Sequence, residues 1–387
     1  MKRIIYIFDD INYQSGALKA ALYQMKCLSD RFDVYALSLS EPVNDDIPGQ
    51  LLKTPKLWKR AEVCAKSFRE VVFNNYSLSD KLKKIFYSVT LRLGKGERFL
   101  DSFLYGEIPQ YLESFDIVIV VSEASKIRYL VSRLKAPLKV QWIHTDYALW
   151  SEYSEWTRLI TKNDARIYSD FDYIIVLSEK SREGMIKKLP EFSDKTIVIP
   201  NLVDYAEIKK KSMEDLGIDL EECLYRFVTV GRIDKEKNFE RILSVCRSLK
   251  SDNINYRWYL IGDGPQKKHI YDLINKMDLK EYVVMLGHMD NPYPIMKQCD
   301  IIVLLSDYEG TPMTIDEAAV LEKKVIATPV GGIPEQLQRY GNGKLVRLDK
   351  NLYVDFFNAI NEETSVRIKS IEELNNEVLK KMEQLFQ

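Results

Sequence analysis

The chain has 387 residues, 56 of them basic and 57 acidic, which gives a formal net charge of −1. Because one domain commonly takes about 100–200 residues, this length predicts two domains. Hydrophobic residues make up 46% of the chain, which excludes a disordered protein. The balanced charge argues against a nucleic-acid partner, since such proteins carry a basic excess.

Strand-like runs alternate with amphipathic stretches of helix length along the whole chain. These runs are continuously apolar, which indicates parallel strands covered by helices on both faces. The predicted strands of the first half are Arg3–Phe8, Asp33–Ser38, Asp116–Val121, Lys139–Ile143, Tyr173–Ser178 and Thr196–Pro200. Those of the second half are Arg226–Gly231, Arg257–Gly262, Tyr282–Gly287, Asp300–Leu305, Lys324–Thr328 and Lys344–Arg347. Six strands followed by six more predict an α/β protein with two doubly wound, Rossmann-like domains.

The first domain is expected to end near residue 200, where a predicted strand runs into the polar stretch Pro200–Asp204. The division is therefore predicted as residues 1–200 and 201–367. The last stretch, Ile368–Phe386, has apolar residues at helical spacing and predicts an amphipathic helix.

One stretch interrupts the alternation of strands and helices. Residues 53–98, called the basic segment below, contain 12 basic and 4 acidic residues, a local charge of +8, with aromatic and aliphatic residues interleaved. Two interpretations stay open. The segment forms solvated helices beside the first domain, or it forms a basic amphipathic surface that rests on anionic lipid.

Cysteine and histidine are too sparse to predict a metal site or a disulfide framework. The five cysteines include no CxxC pair, and the chain has three histidines. The first apolar run is about five residues long and ends at Asp9, too short for a signal peptide. No run approaches the roughly 18–20 apolar residues of a membrane span. We therefore expect no metal, and a cytoplasmic protein for which peripheral attachment to the inner membrane face stays open.

The loop after the strand Arg226–Gly231 carries two cations, Arg232 and Lys237. In open α/β sheets, ligands bind at the carboxyl ends of the strands, where this loop lies. Arg can contact a phosphate with two parallel hydrogen bonds, and Lys acts as a point charge. The alternative is a solvated turn.

A second loop, residues 307–312, follows the strand Asp300–Leu305 and leads into a helix. Pro312 suits the first turn of a helix, so the N–H groups of Thr311, Met313 and Thr314 are expected to be available to an anion. Glu309 and Glu317 flank this helix start, and carboxylates beside an anion site suggest sugar hydroxyls as their partners. The alternative is that Glu309 caps the helix and that Glu317 is a surface residue.

Two further polar groups follow strands of the first half. His144 comes directly after the strand Lys139–Ile143, and Gly16 lies between the first strand and the next helix. A lone histidine is commonly structural, and the loop around Gly16 lacks the full GxGxxG pattern. All four motifs end predicted parallel strands, however, so two domains facing each other would bring them to one cleft.

Together these stretches resemble the family-4 retaining glycosyltransferases with a GT-B fold, which belong to the glycosyl transferases group 1. Residues 41–115 resemble the family least. The stretches that carry the resemblance are QWIHTDY (141–147), DYIIVLSEKSREGMIKKL (172–189), IPNLVD (199–204), VGRIDKEKN (230–238), IGDGP (261–265), GHMDNPYPIMKQCDIIVLLSDYEGTPMTIDEA (287–318) and KKVIATPVGGIPEQL (323–337).

The resemblance implies a role for each loop in binding a nucleotide-sugar donor. Arg232 and Lys237, in the loop that begins at Gly231, would neutralise the diphosphate leaving group. Glu317 would bind the ribose hydroxyls, and Glu309 would hold hydroxyls of the transferred sugar.

Further contacts to the donor follow from the same resemblance. The backbone amides of Thr311, Met313 and Thr314 would hold sugar or phosphate oxygens. The backbone around His288 would border the base, and Gly16 would let the diphosphate approach the first domain. His144 would contact the donor sugar near the reacting carbon.

The implied function is retaining transfer of a hexosyl or N-acetylhexosaminyl group from a nucleotide-diphosphate sugar, with a UDP-sugar favoured over a GDP-sugar. The acceptor would be a glycan or lipid-linked glycan of bacterial surface polysaccharide synthesis. Residues 1–200, joined by the helix over 368–386, would bind the acceptor, and residues 201–367 would bind the donor. The alternatives are a non-catalytic sugar-binding partner of an active transferase, and a GT-B epimerase or phosphorylase.

Overall fold

The structure is a computed structural model that describes residues 1–12, 15–44, 47–58, 68–73, 76–92, 106–125, 127–135, 137–364 and 369–387. Parts of the basic segment, namely residues 59–67, 74–75 and 93–98, therefore lie outside the described residues. The same holds for Ile368, the predicted first residue of the C-terminal helix.

The first domain is built on a seven-stranded parallel sheet with the order β3-β2-β1-β4-β5-β6-β7. Its strands are β1 Arg3–Phe8, β2 Asp33–Ser38, β3 Gln50–Leu51, β4 Ile117–Val120, β5 Leu138–Trp142, β6 Tyr173–Val176 and β7 Thr196–Val198. Six of these confirm predicted strands. Only β3 was missed, because two residues at the edge of a sheet leave no apolar run to detect.

The second domain is built on a six-stranded parallel sheet with the order β10-β9-β8-β11-β12-β13. Its strands are β8 Tyr225–Val230, β9 Tyr256–Ile261, β10 Val283–Gly287, β11 Ile301–Leu304, β12 Lys324–Ala327 and β13 Gly343–Leu345. All six coincide with predicted strands to within a few residues. The predicted fold class, two Rossmann-like α/β domains, is confirmed.

Helices cover both sheets. Those of the first domain are α1 Gly16–Leu28, α2 Phe68–Phe73, α3 Leu78–Arg92, α4 Ile108–Leu112, α5 Arg128–Ser132, α6 Tyr147–Trp150, α7 Glu155–Thr161, α8 Asp164–Ser169 and α9 Glu179–Lys188. Those that follow are α10 Tyr205–Lys211, α11 Phe239–Ser251, α12 Lys267–Lys276, α13 Tyr293–Gln298, α14 Met313–Val320, α15 Ile333–Tyr340, α16 Leu352–Asn361 and α17 Ile371–Phe386. Among the described residues, no helix is both long and apolar enough to span a bilayer.

Helix α17 joins the cores of the two domains. Its first residue, Ile371, packs in a cluster of the second domain, whereas Met382 and Phe386 are buried in the core of the first. Between them, the Asn375 side chain forms two hydrogen bonds with the backbone of Val203, in the chain that connects the domains. Helix α17 thus buries apolar side chains in both domains and links them through one helix.

In each sheet, the strand order reverses between two neighbouring strands. This switch point lies between β1 and β4 in the first sheet and between β8 and β11 in the second. Loops that leave the carboxyl ends of two such strands run in opposite directions and leave a crevice between them, which is where open α/β sheets bind ligands. The loops singled out from the sequence therefore lie at or beside the switch points.

The contact of α17 with the first domain is open to a stability test. Phe386 is 1% exposed and packs edge-on against Phe32, with ring centroids 6.2 Å apart. Phe386→Ala should lower the free energy of unfolding by about 3 kcal/mol, because it removes a buried ring and leaves a cavity. Urea unfolding followed by circular dichroism measures the change. Val354→Ala on the exposed side of α16 is the control, and equal losses in the two variants would show that Phe386 is not part of the core.

Candidate active site

A cleft of about 990 Å³ lies between the two domains and is lined by loops of both. All eleven residues predicted for the site line this cleft: Gly16, His144, Gly231, Arg232, Lys237, His288, Glu309, Thr311, Met313, Thr314 and Glu317. The structure thus brings them together, and their individual roles remain predictions.

The two loops of the second domain are tied to each other at the switch point. The backbone N–H of Asp307 donates to the Glu236 carbonyl at 2.8 Å, and the Asn238 amide donates to the Asp307 carboxylate at 2.8 Å. Arg241 of helix α11 forms an ion pair with the same carboxylate. These contacts hold the cation-bearing loop after β8 against the carboxylate-bearing loop after β11.

Lys237 and Glu309 form the central ion pair of the cleft. The Lys237 Nζ lies 2.5 Å from Glu309 Oε1, and the Ser306 hydroxyl donates to the same oxygen at 2.7 Å. Glu309 is 8% exposed, so the two donors offset the desolvation of its charge. The pair explains how a carboxylate can lie beside a site for anions, since its charge is compensated before a ligand enters.

Arg232 lies further out, at the mouth of the cleft. Its side chain is 61% exposed, and its Nε is 3.8 Å from Asp234 Oδ2. Asp234 also accepts a hydrogen bond from the backbone N–H of Lys237 at 3.1 Å, which braces the loop. The guanidinium is therefore accessible to a ligand while its loop is held in place.

The start of helix α14 faces the cleft without a side-chain cap. Pro312 was expected in the first turn, but it takes the N-cap position with an extended backbone, and the helix begins at Met313. The first N–H groups of the helix and its positive dipole end are thus open to an anion. Inside the helix, Asp316 is buried and accepts hydrogen bonds from Tyr340 and Gln336, which fixes α14 against α15.

Glu317 lies in the wall of the cleft and is buried, against the surface alternative considered from the sequence. Its Oε1 accepts a hydrogen bond from the Tyr293 hydroxyl at 3.0 Å and lies 4.0 Å from the Nζ of Lys19. Burial raises the pKa of the Glu317 carboxyl, and the Lys19 charge and the Tyr293 hydroxyl counteract that effect. Sequence reasoning missed both partners.

A signal for Lys19 was nevertheless present in the sequence. Lys19 lies in the first turn of α1, where the helix dipole disfavours a cation. A lysine placed against the dipole suggests an anionic partner, and that partner is on the other domain. Helix α1 also approaches α14 directly, since a Cβ on Gly16 would lie 3.0 Å from Met313 Cγ.

His144 is held as a neutral imidazole at the end of β5. One of its ring nitrogens is hydrogen-bonded to the Val121 backbone, and Nε2 has no partner among the described residues. Burial lowers the pKa of the imidazole to about 4. At neutral pH the ring can thus accept a hydrogen bond from a hydroxyl but cannot supply a positive charge.

A buried carboxylate, that of Glu123, is hydrogen-bonded to the loop that carries His144. Glu123 follows β4, is 5% exposed, and accepts the backbone N–H of His144 at 3.4 Å. Burial raises the pKa of its carboxyl, an effect that the neighbouring Thr145 hydroxyl and the His144 amide partly offset. Glu123 lies two residues after the predicted strand Asp116–Val121, so the search that selected His144 would have found it if extended by one residue.

The domains touch along one side of the cleft. Gly310 packs against the backbone of His144, where a Cβ would overlap the carbonyl oxygen. Farther along, the Glu335 carboxylate of α15 accepts the backbone N–H groups of Glu179 and Lys180 at 2.8 Å each. These are the first two N–H groups of helix α9, which have no partner within the helix. A side chain of the second domain therefore caps a helix of the first.

His288 lies at the rim of the cleft. Its side chain is 61% exposed and its Nε2 is 3.2 Å from Asp290 Oδ1. Within the part of the chain that the structure describes, no group of three or more His, Cys, Asp and Glu side chains is arranged to hold a metal ion.

Known proteins give a consistent comparison. Residues 209–352 match the family model of the glycosyl transferases group 1. An N-acetylgalactosamine-N,N'-diacetylbacillosaminyl-diphospho-undecaprenol 4-alpha-N-acetylgalactosaminyltransferase of Campylobacter jejuni is 22% identical over 81% of this chain and 77% of its own. A UDP-Gal:alpha-D-GlcNAc-diphosphoundecaprenol alpha-1,3-galactosyltransferase of Escherichia coli is 27% identical over 51% of this chain. The chain spans about half the length of several curated relatives, the Escherichia coli enzyme among them.

The crystal structure of Anabaena HepE in complex with UDP superposes on 99% of this chain and 100% of its own, with a TM-score of 0.68 and 16% sequence identity. The fold is GT-B. The second domain of this GT-B chain matches the group 1 glycosyltransferases, and the cleft that it shares with the first domain contains every predicted site residue.

The state of His144 can be measured directly. With three histidines in the chain, the imidazole C–H resonances can be followed by NMR during a pH titration, and the His144→Gln variant assigns the signal. We expect His144 to titrate at a pKa of about 4. Because the unfolded chain binds this proton already below about pH 6.5, stability should fall as pH decreases from that value. A pKa close to 6.5 would refute the enclosed position of the ring.

Proposed function

We propose that this protein is a retaining, family-4 glycosyltransferase that moves a hexosyl or N-acetylhexosaminyl group from a nucleotide-diphosphate sugar to a glycan or lipid-linked glycan. The observation that carries the proposal is the convergence of two cations, an uncapped helix start and a buried carboxylate in one interdomain cleft. Each of these features suits a different part of such a donor.

The diphosphate of the donor would lie between Arg232, Lys237 and the start of α14. The amides of Thr311, Met313 and Thr314 and the close approach of Gly16 would then surround it from both domains. Bond breaking adds negative charge to this diphosphate, and preorganised cations stabilise charge that develops in the transition state. Neither metal nor cofactor is required in this proposal.

The nucleoside would lie beside Glu317 and the rim at His288. Carboxylates accept hydrogen bonds from ribose hydroxyls, and Tyr293 already holds the Glu317 carboxylate in place at 3.0 Å. We propose UDP rather than GDP as the carrier, supported by the UDP present in the HepE structure and by the UDP-Gal named for the Escherichia coli relative.

The transferred sugar would lie between His144 and Glu309. Several enclosed polar atoms of the cleft have no hydrogen-bond partner among the described residues, including His144 Nε2, Thr311 Oγ1 and Asn201 Oδ1. Buried polar atoms are nearly always paired in folded proteins, so these atoms favour a polar ligand with several hydroxyl groups.

The chemistry that we propose is a front-face displacement with retention. The bond from the anomeric carbon to the phosphate oxygen breaks, the acceptor oxygen bonds to that carbon on the same face, and the acceptor proton passes to the departing phosphate oxygen. Glu309 is paired with Lys237 at 2.5 Å, which suits a group that orients hydroxyls better than one that removes protons.

The acceptor is proposed to be a glycan, free or linked to a lipid, that binds the first domain during bacterial surface polysaccharide synthesis. The Campylobacter and Escherichia coli relatives are named for diphospho-undecaprenol acceptors, which supports a lipid-linked one. A non-catalytic partner subunit is the alternative, and turnover separates the two.

Donor binding and turnover test the proposal. Calorimetric titration with UDP, GDP, ADP and CDP should show binding for one or two of them, with UDP the tightest. Mass spectrometry should then detect slow hydrolysis of the matching nucleotide sugar without an acceptor. Lys237→Ala should lower this rate by about 10²–10³, because a preorganised charge at the leaving group is lost. Arg232→Ala should lower it in the same direction.

Lys235→Ala is the matched control, since this exposed lysine of the same loop does not line the cleft. An equal loss in the control would point to general destabilisation of the loop. Binding of a nucleotide with no turnover under any condition would favour the non-catalytic alternative. If the protein binds none of the four nucleotide diphosphates, both alternatives are refuted.

We also propose that the described part of the basic segment rests on an anionic membrane surface. Helix α3 exposes Leu78, Leu82, Ile85, Phe86 and Val89, which share one helical face and are 39–75% exposed. Four of its residues are basic and one is acidic. An exposed apolar face on a basic helix is typical of binding at the lipid interface.

Flotation with lipid vesicles tests this surface. The protein should float with phosphatidylcholine vesicles that contain phosphatidylglycerol. It should not float with vesicles of pure phosphatidylcholine, and high salt should weaken the binding to the anionic vesicles. Leu82→Ser with Phe86→Ser should abolish flotation, whereas Val354→Ser with Phe357→Ser on α16 should leave it unchanged. Salt-independent failure to float would leave the segment as a solvated surface.

A further inference from the structure

A set of large exposed side chains lies beside the cleft, on helices α6 and α7 and the turn between them. It comprises Leu149, Tyr153, Trp156 and Leu159, which are 52–70% exposed and are called the aromatic platform below. Several exposed apolar groups within a short stretch mark a candidate binding surface, because covering apolar surface is favourable by about 25 cal/mol per Å². None of the residues assigned to the donor belongs to it.

The platform continues the wall of the cleft. The ring of Tyr153 stacks on that of Tyr308 at 6.3 Å and 16°, and Tyr308 precedes Glu309 in the loop of the second domain. On the other side, the chain runs directly from His144 into α6. The platform therefore adjoins the cleft at Tyr153, and Trp156 follows three residues later in the chain.

The platform is held rigidly. Asp146 caps α6 by accepting the N–H groups of Ala148 and Leu149, and Ser154 and Thr157 form a capping box at the start of α7. The Trp156 ring packs edge-on against Trp150 at 6.5 Å and 90°, and Trp150 in turn packs on the core. These contacts restrict the backbone and the Trp156 ring, which lowers the entropic cost of binding.

Charge decides which part of a ligand fits. Partial burial raises the pKa of the Tyr153 phenol, and the nearby carboxylates of Glu236 and Asp234 raise it further. They oppose a phosphate and accept hydrogen bonds from hydroxyl groups. Ring faces are electron-rich and attract the weakly positive C–H groups on the apolar side of a sugar ring.

We infer that the aromatic platform binds the uncharged saccharide end of the acceptor, with a sugar ring stacked on Trp156 and Tyr153. This inference rests on the proposed glycosyltransferase function and adds the acceptor's chemistry to it. The acceptor would direct its sugar toward His144 and its phosphate, where it has one, away from the carboxylates of Asp234 and Glu236.

Acceptor kinetics test the platform. The probes are octyl α- and β-glycosides of glucose, galactose, N-acetylglucosamine and N-acetylgalactosamine, used below their micelle concentrations with a fixed concentration of donor. Trp156→Ala should raise the acceptor KM at least tenfold, and Tyr153→Ala should act in the same direction. Trp156→Phe should restore most of the affinity. The rate of donor hydrolysis without acceptor should stay within twofold in all three variants, and Phe357→Ala on α16 is the control.

A second measurement keeps the platform testable should the transferase assignment fail. Saturation-transfer NMR with the same octyl glycosides, without donor, should show sugar protons in contact with the wild type and not with Trp156→Ala. An unchanged KM together with unchanged sugar contacts in Trp156→Ala would overturn the inference. Equal competition by octyl tetraethylene glycol, which has the same chain but no sugar, would overturn it in favour of a lipid-tail site. Concentration-dependent dimerisation lost in Trp156→Ala would overturn it in favour of a second copy of this chain.

Discussion

Parallel pairing of the strands is the constraint on which the rest of this molecule depends. In a parallel sheet every strand ends at the same edge, so every loop that follows a strand emerges on one side. Each of the two sheets reverses its strand order once, between β1 and β4 and between β8 and β11. Residues far apart in the chain are brought to one cleft because the two domains turn these edges toward each other.

The two buried carboxylates of the cleft have cationic or hydroxyl partners before any ligand enters. A buried carboxylate alone would be repelled by a diphosphate and would be costly to desolvate. The pairing of Glu309 with Lys237 and of Glu317 with Lys19 and Tyr293 reduces both difficulties. Lys19 belongs to the first domain and Glu317 to the second, so this contact also joins the two domains across the cleft.

Much of this arrangement could be predicted from the sequence, and the parts that could not have physical reasons. Most of the twelve predicted strands are short apolar runs bounded by polar residues, and their carboxyl ends identify Arg232, His144 and Glu309 as neighbours in space. The strand β3 is too short for periodicity, and it exists only because its backbone pairs with β2.

The capping of α9 by Glu335 depends on how the domains meet, which no local pattern contains. The position of Pro312 differs by one residue because proline is compatible with both the N-cap and the first turn.

The central claim is that the cleft binds a nucleotide-diphosphate sugar across both domains. A crystal structure of the protein soaked or grown with UDP measures this most directly. The account predicts a diphosphate between Lys237, Arg232 and the first amides of α14, within reach of Gly16, with ribose hydroxyls on Glu317. A nucleotide bound elsewhere, or with its ribose away from Glu317 and its phosphates outside the reach of both cations, would contradict it.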